Sequence, residues 1–281
     1  MFESPVKIRS LILFFFFSLT IIVFCIFSSI FDDRTKIVFC NVGQGDAAYI
    51  RINNKIDVLI DAGPDKSVLL CLGKYMPFWD RKIELAFLSH PNIDHYGGYQ
   101  YITYRYKIDK FITVKSPFTN NSYKKLLSEL SVKKIPLSSL ISGDRFIAGN
   151  GLFKAYWPLK NFNSSNDNDF SSVILFECCK DGSRPAQTIL FTGDASPFVL
   201  SRLSNGSLGK ISILKVPHHG SKNGLTKKFL DLADPTVAVI SVGKNNSYGH
   251  PNKQTLDMLK AKNIKILRTD EEKDIVFNLK E

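Results

Sequence analysis

The stretch LSHPNIDHYGG, residues 88–98, decides how the rest of the chain is read. Residues 83–88 have the apolar run of a buried strand, and that strand delivers His90 at its exit. Asp94 and His95 follow within the same loop, and Gly97–Gly98 lets the chain turn tightly into a helix. Imidazole and carboxylate together suit zinc, manganese or iron rather than calcium. Asp94 and His95 are adjacent and cannot easily face one ion alongside His90, so a pair of metal ions is the natural expectation.

Working outward, the chain has five histidines, His90, His95, His218, His219 and His250, and each lies just beyond an apolar strand among Gly, Pro, Asn or Ser. A lone histidine is more often structural than a ligand. Five at strand exits beside carboxylates point to a metal site. In FTGD (residues 191–194), Gly193 permits a sharp turn and Asp194 is presented at a strand end, where one carboxylate can bridge two cations. KVPHHGS (215–221) and GKNNSYGHP (243–251) bring the remaining histidines. Asp61 in LIDAG would accept a hydrogen bond from a ligand histidine and orient it, and Asp46 would brace the site. Gly43-x-Gly45-x-x-Ala48 imitates a dinucleotide-binding fingerprint, but the strand YIRI follows where a helix would be needed.

Short β-branched runs alternate with helical patterns along the rest of the chain. Strands are predicted at residues 36–40, 48–52, 56–60, 83–88, 110–114, 151–157, 172–179, 188–191, 211–216, 237–242, 264–267 and 275–278. Helices are predicted at 68–76, 99–106, 122–130, 225–232 and 253–260. Two strand-rich halves that each end in helices indicate an α+β chain with four-layer αββα packing, in one domain covering residues 32–281.

Residues 1–31 stand apart as a short stub and an uncharged apolar run at 10–31, long enough for a transmembrane helix. Lys7 and Arg9 precede the run and Asp32–Asp33 follow it. The expectation is a single-pass signal anchor with the domain on the extracytoplasmic side, a cleaved signal peptide being the rival. Lys plus Arg number 37 against 26 Asp plus Glu, a net charge of +11. With only Glu3, Lys7 and Arg9 charged before residue 32, this surplus belongs to the domain and suits an acidic partner. Five irregularly spaced cysteines exclude a disulfide scaffold, and no Cys-x-x-Cys pair suggests a zinc ribbon.

In their order, NVGQGDAAYI, LIDAG, LSHPNIDHYGG, the YWP strand, FTGD, LKVPHHGS and SYGHP resemble the metallo-β-lactamase superfamily. More narrowly, from about residue 37 to 277, they resemble the extracellular nuclease-like domain of ComEC-type competence proteins. The resemblance implies a metallo-β-lactamase-like αββα fold and a dinuclear metal hydrolase with ligands His90, Asp94, His95 and Asp194. One of His218 and His219 would complete the set, with His250 and Ser221 at the substrate end. Two departures bear on the metals. Asn92 stands where the superfamily has a histidine, so the site would hold one tight and one weak ion, or a single ion. The superfamily's later histidine has no counterpart. The region holds Asn166, Asp167, Asn168 and Asp169 instead, oxygen donors that favour manganese or magnesium over zinc.

The expected activity is phosphodiester hydrolysis of DNA in a competence-related process. It would use one or two divalent ions, manganese or zinc foremost and magnesium as a third option. Asp94 would take a proton from water while His219 or His250 donates to the phosphate or leaving oxygen. The expected partners are single-stranded DNA, the membrane through the N-terminal helix, and a separate DNA-channel protein. Tyr96, Tyr99, Tyr101 and Tyr104 offer base-stacking faces, with at least half of them expected in the core. The alternatives are hydrolysis of a small ester, lactone or phosphocholine, and a non-catalytic nucleic-acid-binding module with a degenerate metal site.

Overall fold

Apolar strands that must hide both faces need helices outside and a second sheet inside, and the chain is arranged in that way. The computed structural model describes residues 8–30, 33–179, 186–203 and 208–279, with the backbone alone for 25–30. Helix α1 (Ile8–Ile30) precedes strands β1 (Thr35–Phe39), β2 (Ala48–Ile52) and β3 (Ile56–Ile60) and helix α2 (Val68–Tyr75). Next come β4 (Lys82–Ile83), β5 (Leu85–Leu88), α3 (Ile93–Tyr96), α4 (Tyr99–Arg105), β6 (Lys107–Ile108), β7 (Phe111–Thr113), α5 (Asn121–Val132) and β8 (Leu137–Ser139). The second half runs β9 (Arg145–Ala148), β10 (Gly151–Trp157), β11 (Val173–Cys178), β12 (Gln187–Phe191), α6 (Pro197–Leu203) and β13 (Ile213–Lys215). It closes with α7 (Lys227–Ala233), β14 (Val237–Ile240), α8 (Lys253–Ala261), β15 (Lys265–Arg268), α9 (Thr269–Glu272) and β16 (Ile275–Leu279).

The order in one seven-stranded sheet is β16-β1-β2-β3-β5-β7-β8 and in the other β15-β14-β13-β12-β11-β10-β9. Three apolar layers result. Ile37, Phe39, Ile50, Phe87, Phe153 and Phe176 fill the space between the sheets. Val38, Tyr49 and Leu59 pack outward against Leu72, Ile102 and Leu126 of α2, α4 and α5. Leu175, Leu190 and Leu214 pack against Val199, Phe229 and Leu259 of α6, α7 and α8. Each such side chain, fully withdrawn from water, contributes about 1.5–3 kcal/mol.

In each sheet an antiparallel half gives way to a parallel one. Strands β3, β5, β7 and β8 pair in parallel, as do β12, β13, β14 and β15. Parallel neighbours release their carboxyl ends at one edge, which is where open α/β sheets place ligands. Asp61, His90, Asp194 and His219 all follow the ends of such strands.

The predicted strand over 83–88 is split at Glu84. Its Oε2 accepts from the Asp57 amide at 2.8 Å, and β4 pairs with β6 in a separate ribbon. Strands β8 and β9 and helix α6 escape the sequence patterns. In each edge strand a large aliphatic residue faces water, Leu137 at 52% and Ile147 at 78% exposure, which obscures the apolar alternation.

Helix α1 covers most of the apolar run expected over 10–31. Among the described residues no helix is long and apolar enough to cross a membrane. Residues Lys7 and Asp32, which help to set the expected orientation, lie outside the described residues.

Although no disulfide scaffold exists, one bond joins Cys40, just after β1, to Cys71 on α2, with Cα atoms 5.8 Å apart. A bond closing a loop of this length stabilises a domain by about 2–4 kcal/mol, chiefly by restricting the unfolded chain. Urea unfolding of the whole protein with and without reductant measures this. The transition should move to lower urea on reduction, and Cys71→Ser should reproduce the reduced value. A transition indifferent to both would mean that the bond does not form.

Candidate metal centre

The centre begins where β5 ends. Ser89 and His90 follow Leu88, and Asn92, with extended backbone (φ −92°, ψ 144°), opens the single turn of α3 that carries Asp94 and His95. Two backbone segments, at Asp46 and at Ala62–Gly63, converge on this turn and the residues that follow it. The Asp46 amide donates to the Asp94 carbonyl at 3.1 Å, the Ala62 amide to His95 O at 2.7 Å, and the Gly98 amide to Gly63 O at 2.9 Å. Such approaches leave no room for side chains. A Cβ at Gly45 would run into the Asp94 carbonyl oxygen, and one at Gly98 into that of Ala62. Gly45 of NVGQGD therefore serves close packing against α3, while Gly43 supplies a left-handed turn (φ 77°) in open space.

The second sheet supplies the facing half. After β12, Gly193 takes the left-handed turn (φ 48°), and the Asp194 amide donates to Ser171 Oγ at 2.8 Å. After β13, both His218 and His219 adopt left-handed backbone (φ 52° and 53°), a conformation that non-glycine residues rarely hold. The surroundings enforce it. The His218 amide donates to Gly193 O at 3.0 Å and the Ser221 amide to His218 O at 2.7 Å. His219 Nδ1 lies 2.9 Å from Ser241 O. Strain kept in this way marks a functional position.

Asp94, His95, Asp194 and His219 each bring one ligand atom to a common point, all within 4.8 Å of one another. His95 Nε2 is 3.3 Å from Asp194 Oδ1, and His219 Nε2 is 3.5 Å from the same oxygen. Asp94 Oδ2 is 3.3 Å from His219 Nε2 and 3.9 Å from His95 Nε2. Among the described residues, His95 Nε2, His219 Nε2 and Asp194 Oδ1 are buried without a hydrogen-bond partner. Leaving a polar atom so costs about 1–3 kcal/mol, so convergent orphans indicate a missing ligand. Two imidazole nitrogens and two carboxylate oxygens fit a divalent transition metal such as zinc or manganese.

The structure places the remaining expected site residues as follows. His90 is fully buried, its Nε2 also lacks a partner, and its ring lies 4.2 Å from that of His95, but it stands outside the group of four. Asn92 stands outside that group as well, and its backbone carbonyl receives the His95 and Tyr96 amides. Asp94, His95, Asp194 and His219 form one candidate ligand position, with His90 beside it. His218 Nε2 approaches Asp194 Oδ2 at 3.8 Å, and the His250 ring lies 5.7 Å from that of His218. Ser221 is buried at 5% exposure, and its Oγ accepts from the Asn223 amide at 3.2 Å.

The oxygen-rich stretch 166–169 does not join the centre either. The Asp169 carboxylate accepts from Ser164, Asn166 and Ser196 and satisfies its own loop. Asn168 reaches the rim, at 3.4 Å from His218 Nδ1, and Asp167 stands close enough for the charges of His95 and Asp194 to act on its carboxyl, whose pKa burial raises. Tyr96 and Tyr99 are core residues at 0% exposure, which leaves Tyr101 and Tyr104 as the outward half of that group.

A ring of partners orients the ligands. Asp61 Oδ2 is 2.9 Å from His95 Nδ1, and Asp61 is itself fixed by the Ser89 amide at 2.7 Å and the Ser89 hydroxyl at 2.8 Å. His219 Nδ1 is held by Ser241 O and by Asp46 Oδ1 at 3.3 Å. In both rings the outer nitrogen has an acceptor, which turns Nε2 toward the cluster. Lys215 was not singled out from the sequence. It is 3% exposed, ion-paired to Asp46, and donates to Gly193 O at 2.9 Å. The detectable signal was a charge inside the buried strand ILKV.

These charges set the protonation pattern. Burial pushes the Asp194 pKa up, but His219, His95 and His90 outweigh it and hold the carboxyl well below its usual range. Burial likewise opposes ionisation of Asp46, and Lys215 with His219 and His95 overcomes it. His219 is pushed up to about 10, because Asp194 and Asp46 more than offset the cost of burying its charge. His95 is raised well above its usual value against burial by Asp194, Asp94 and Asp61. His90 goes the other way, to about 3, through burial and the neighbouring His95 charge. With no cation present, imidazolium protons neutralise the carboxylates.

No protein-family model matches the chain. Among curated proteins it is 26% identical over 258 residues to ComE operon protein 3 of Bacillus subtilis, covering 85% of this chain and 32% of that protein. It is 29% identical over 223 residues to Recombination protein 2 of Haemophilus influenzae, covering 78% of this chain and 26% of that protein. Both are ComEC-type competence proteins. The chain thus spans about a third or less of the length of these relatives. Among solved structures it resembles the metallo-β-lactamase fold protein YhfI from Bacillus subtilis, with 12% identity, 87% of this chain, 99% of that one and a TM-score of 0.59. It also resembles a diphosphatase from the PhnP family, with 12% identity, 88% of this chain, 99% of that one and a TM-score of 0.50. The chain has the metallo-β-lactamase fold and is similar over most of its length to ComEC-type competence proteins.

The protonation pattern makes metal uptake a proton exchange. His95 and His219 carry raised pKa values, so below about 10 an entering cation must displace a proton from His219. Calorimetric titration of the whole protein with manganese should therefore show proton release, with affinity rising from neutral pH toward that value. Affinity independent of pH, with no protons released, would contradict the assignment of these rings as ligands.

Proposed function

We propose that this chain is a metal-dependent phosphodiesterase that hydrolyses DNA during DNA uptake. Its N-terminal helix would hold it at a membrane, with the domain on the extracytoplasmic side. The observation that carries the reading is the set of mutually facing ligand atoms on Asp94, His95, Asp194 and His219, of which all but that of Asp94 belong to buried residues. Similarity to competence proteins supports DNA as substrate, and the surplus of lysine and arginine suits a polyanion. The shared fold with a diphosphatase from the PhnP family is consistent with a phosphate-containing substrate. The Cys40–Cys71 disulfide supports the extracytoplasmic placement, since the cytosol keeps thiols reduced. A separate DNA-channel protein is the partner this placement calls for.

A divalent ion held by Asp94, His95, Asp194 and His219 would polarise the phosphoryl oxygen and make water acidic enough to attack near neutral pH. The chain's own groups do the rest. The Asp94 side chain is 29% exposed while that of Asp194 is 4% exposed, so Asp94 stands at the mouth, where it can receive the proton of the attacking water. His218 and His250 flank the opening. Burial and neighbouring histidine charges lower the pKa of His250, and burial also prevails at His218. Both rings are therefore neutral at neutral pH and offer an N–H to a phosphate or leaving oxygen. Asp61 and Asp46 hold His95 and His219 in place through their outer nitrogens.

The test is hydrolysis of end-labelled single-stranded DNA by the full-length chain in detergent micelles, after chelation and add-back of manganese, zinc or magnesium. Metal-dependent cleavage is expected, with a loss of at least about a hundredfold in Asp194→Asn, because altering mere supports of a metal ligand already costs 10–100-fold. No cleavage with any of the three metals would overturn the proposal, and so would cleavage that survives undiminished in Asp194→Asn.

A further inference from the structure

On the reading of the chain as a DNA phosphodiesterase, we infer that Tyr248 is a base-stacking platform for single-stranded nucleic acid at the mouth of the metal centre. Tyr248 is 70% exposed, on the loop that follows β14. Its ring is near-parallel to that of His250, with centroids 5.8 Å apart and an interplanar angle of 26°. The His250 ring is in turn near-parallel to the ring of His219, at 6.5 Å and 26°. A column of three rings therefore runs from solvent to a ligand of the buried cluster, at the separations that offset aromatic pairs adopt.

The loop is rigid by construction. Asn246 Oδ1 accepts the Tyr248 amide at 3.2 Å and the His250 amide at 3.0 Å. Its Nδ2 donates to Gly243 O at 3.0 Å and His250 O at 2.6 Å. The Gly243 amide reaches Gln44 Oε1 at 3.2 Å, tying the loop to the segment beside Asp94. A loop fixed so closely could have buried its aromatic side chain, yet it presents the ring to water, where it contributes little to folding. Tyr248 differs from other strongly exposed aromatics of the domain in that its ring partner, His250, leads toward the metal centre. Phe78 and Trp79 pack on each other at 4.8 Å, and Lys133 covers Tyr104 at 4.6 Å.

Every base has a π-face, so one aromatic ring binds bases with little sequence preference. Lys244 on the same loop and Lys222 beyond Ser221 are exposed and make no ion pair among the described residues. They leave positive charge where the adjoining phosphates would run.

The experiment compares binding of a short oligothymidylate with that of an abasic strand of equal length and charge. Fluorescence anisotropy reads it on the full-length chain in micelles with chelator, so that no strand is cut. The native protein should bind the base-bearing strand roughly tenfold more tightly, the size of one base–aromatic stack. Tyr248→Ala should abolish that preference while retaining affinity for the abasic strand, and Tyr248→Phe should keep the preference. Equal binding of both strands by the native protein would overturn the platform and leave the DNA reading standing. A preference that persists in Tyr248→Ala would place the stacking surface elsewhere and likewise overturn it. Failure to bind either strand would overturn the platform together with the DNA reading on which it rests.

Discussion

Asp194 is 3% exposed, and its Oδ1 lies 3.3 Å from His95 Nε2 and 3.5 Å from His219 Nε2, with no hydrogen bond to satisfy it. A buried carboxylate is costly unless something positive stands against it. The surrounding residues follow from that requirement. Asp61 and Asp46 turn two imidazoles inward, Lys215 balances Asp46, and the backbone after β13 accepts two consecutive left-handed residues to bring His219 into reach. These arrangements make sense together only if a cation completes them.

The fold supplies this convergence economically. Parallel strands in both sheets end at a common edge, and each sheet contributes ligands from loops that start there. Asp94 and His95 come from the turn after β5, Asp194 from the exit of β12 and His219 from the exit of β13. Apolar layers between and outside the sheets fix those exits. A loop need only span a few residues to place its ligand, and glycines at 45, 97 and 98 let the backbones touch.

Much of this was legible before the structure. The fold could be read because its central strands and covering helices have strong periodicities. The convergence of Asp94, His95, Asp194 and His219 could be read because histidines and aspartates fall at strand exits in a recognisable order. Edge strands β8 and β9 were not legible, since an outward aliphatic residue in each obscures the alternation on which such reading depends. Lys215 was missed because its partner, Asp46, is distant in sequence and near only in space, so the charge inside ILKV had no visible counterpart. Asp169 misled for the opposite reason. Its oxygens look available in sequence, but Ser164, Asn166 and Ser196 take them up. The choice among tyrosines also needed three dimensions, since Tyr96 and Tyr99 lie beside the metal loop in sequence yet face the core.

The central claim is that Asp94, His95, Asp194 and His219 together hold a divalent metal ion. The most direct test is metal analysis of the full-length protein after equilibration with manganese or zinc and exhaustive dialysis, beside His95→Ala carried through the same steps. The account predicts metal retained in stoichiometric amount by the native protein and lost from the variant. Equal retention by both, or none by either, would contradict it.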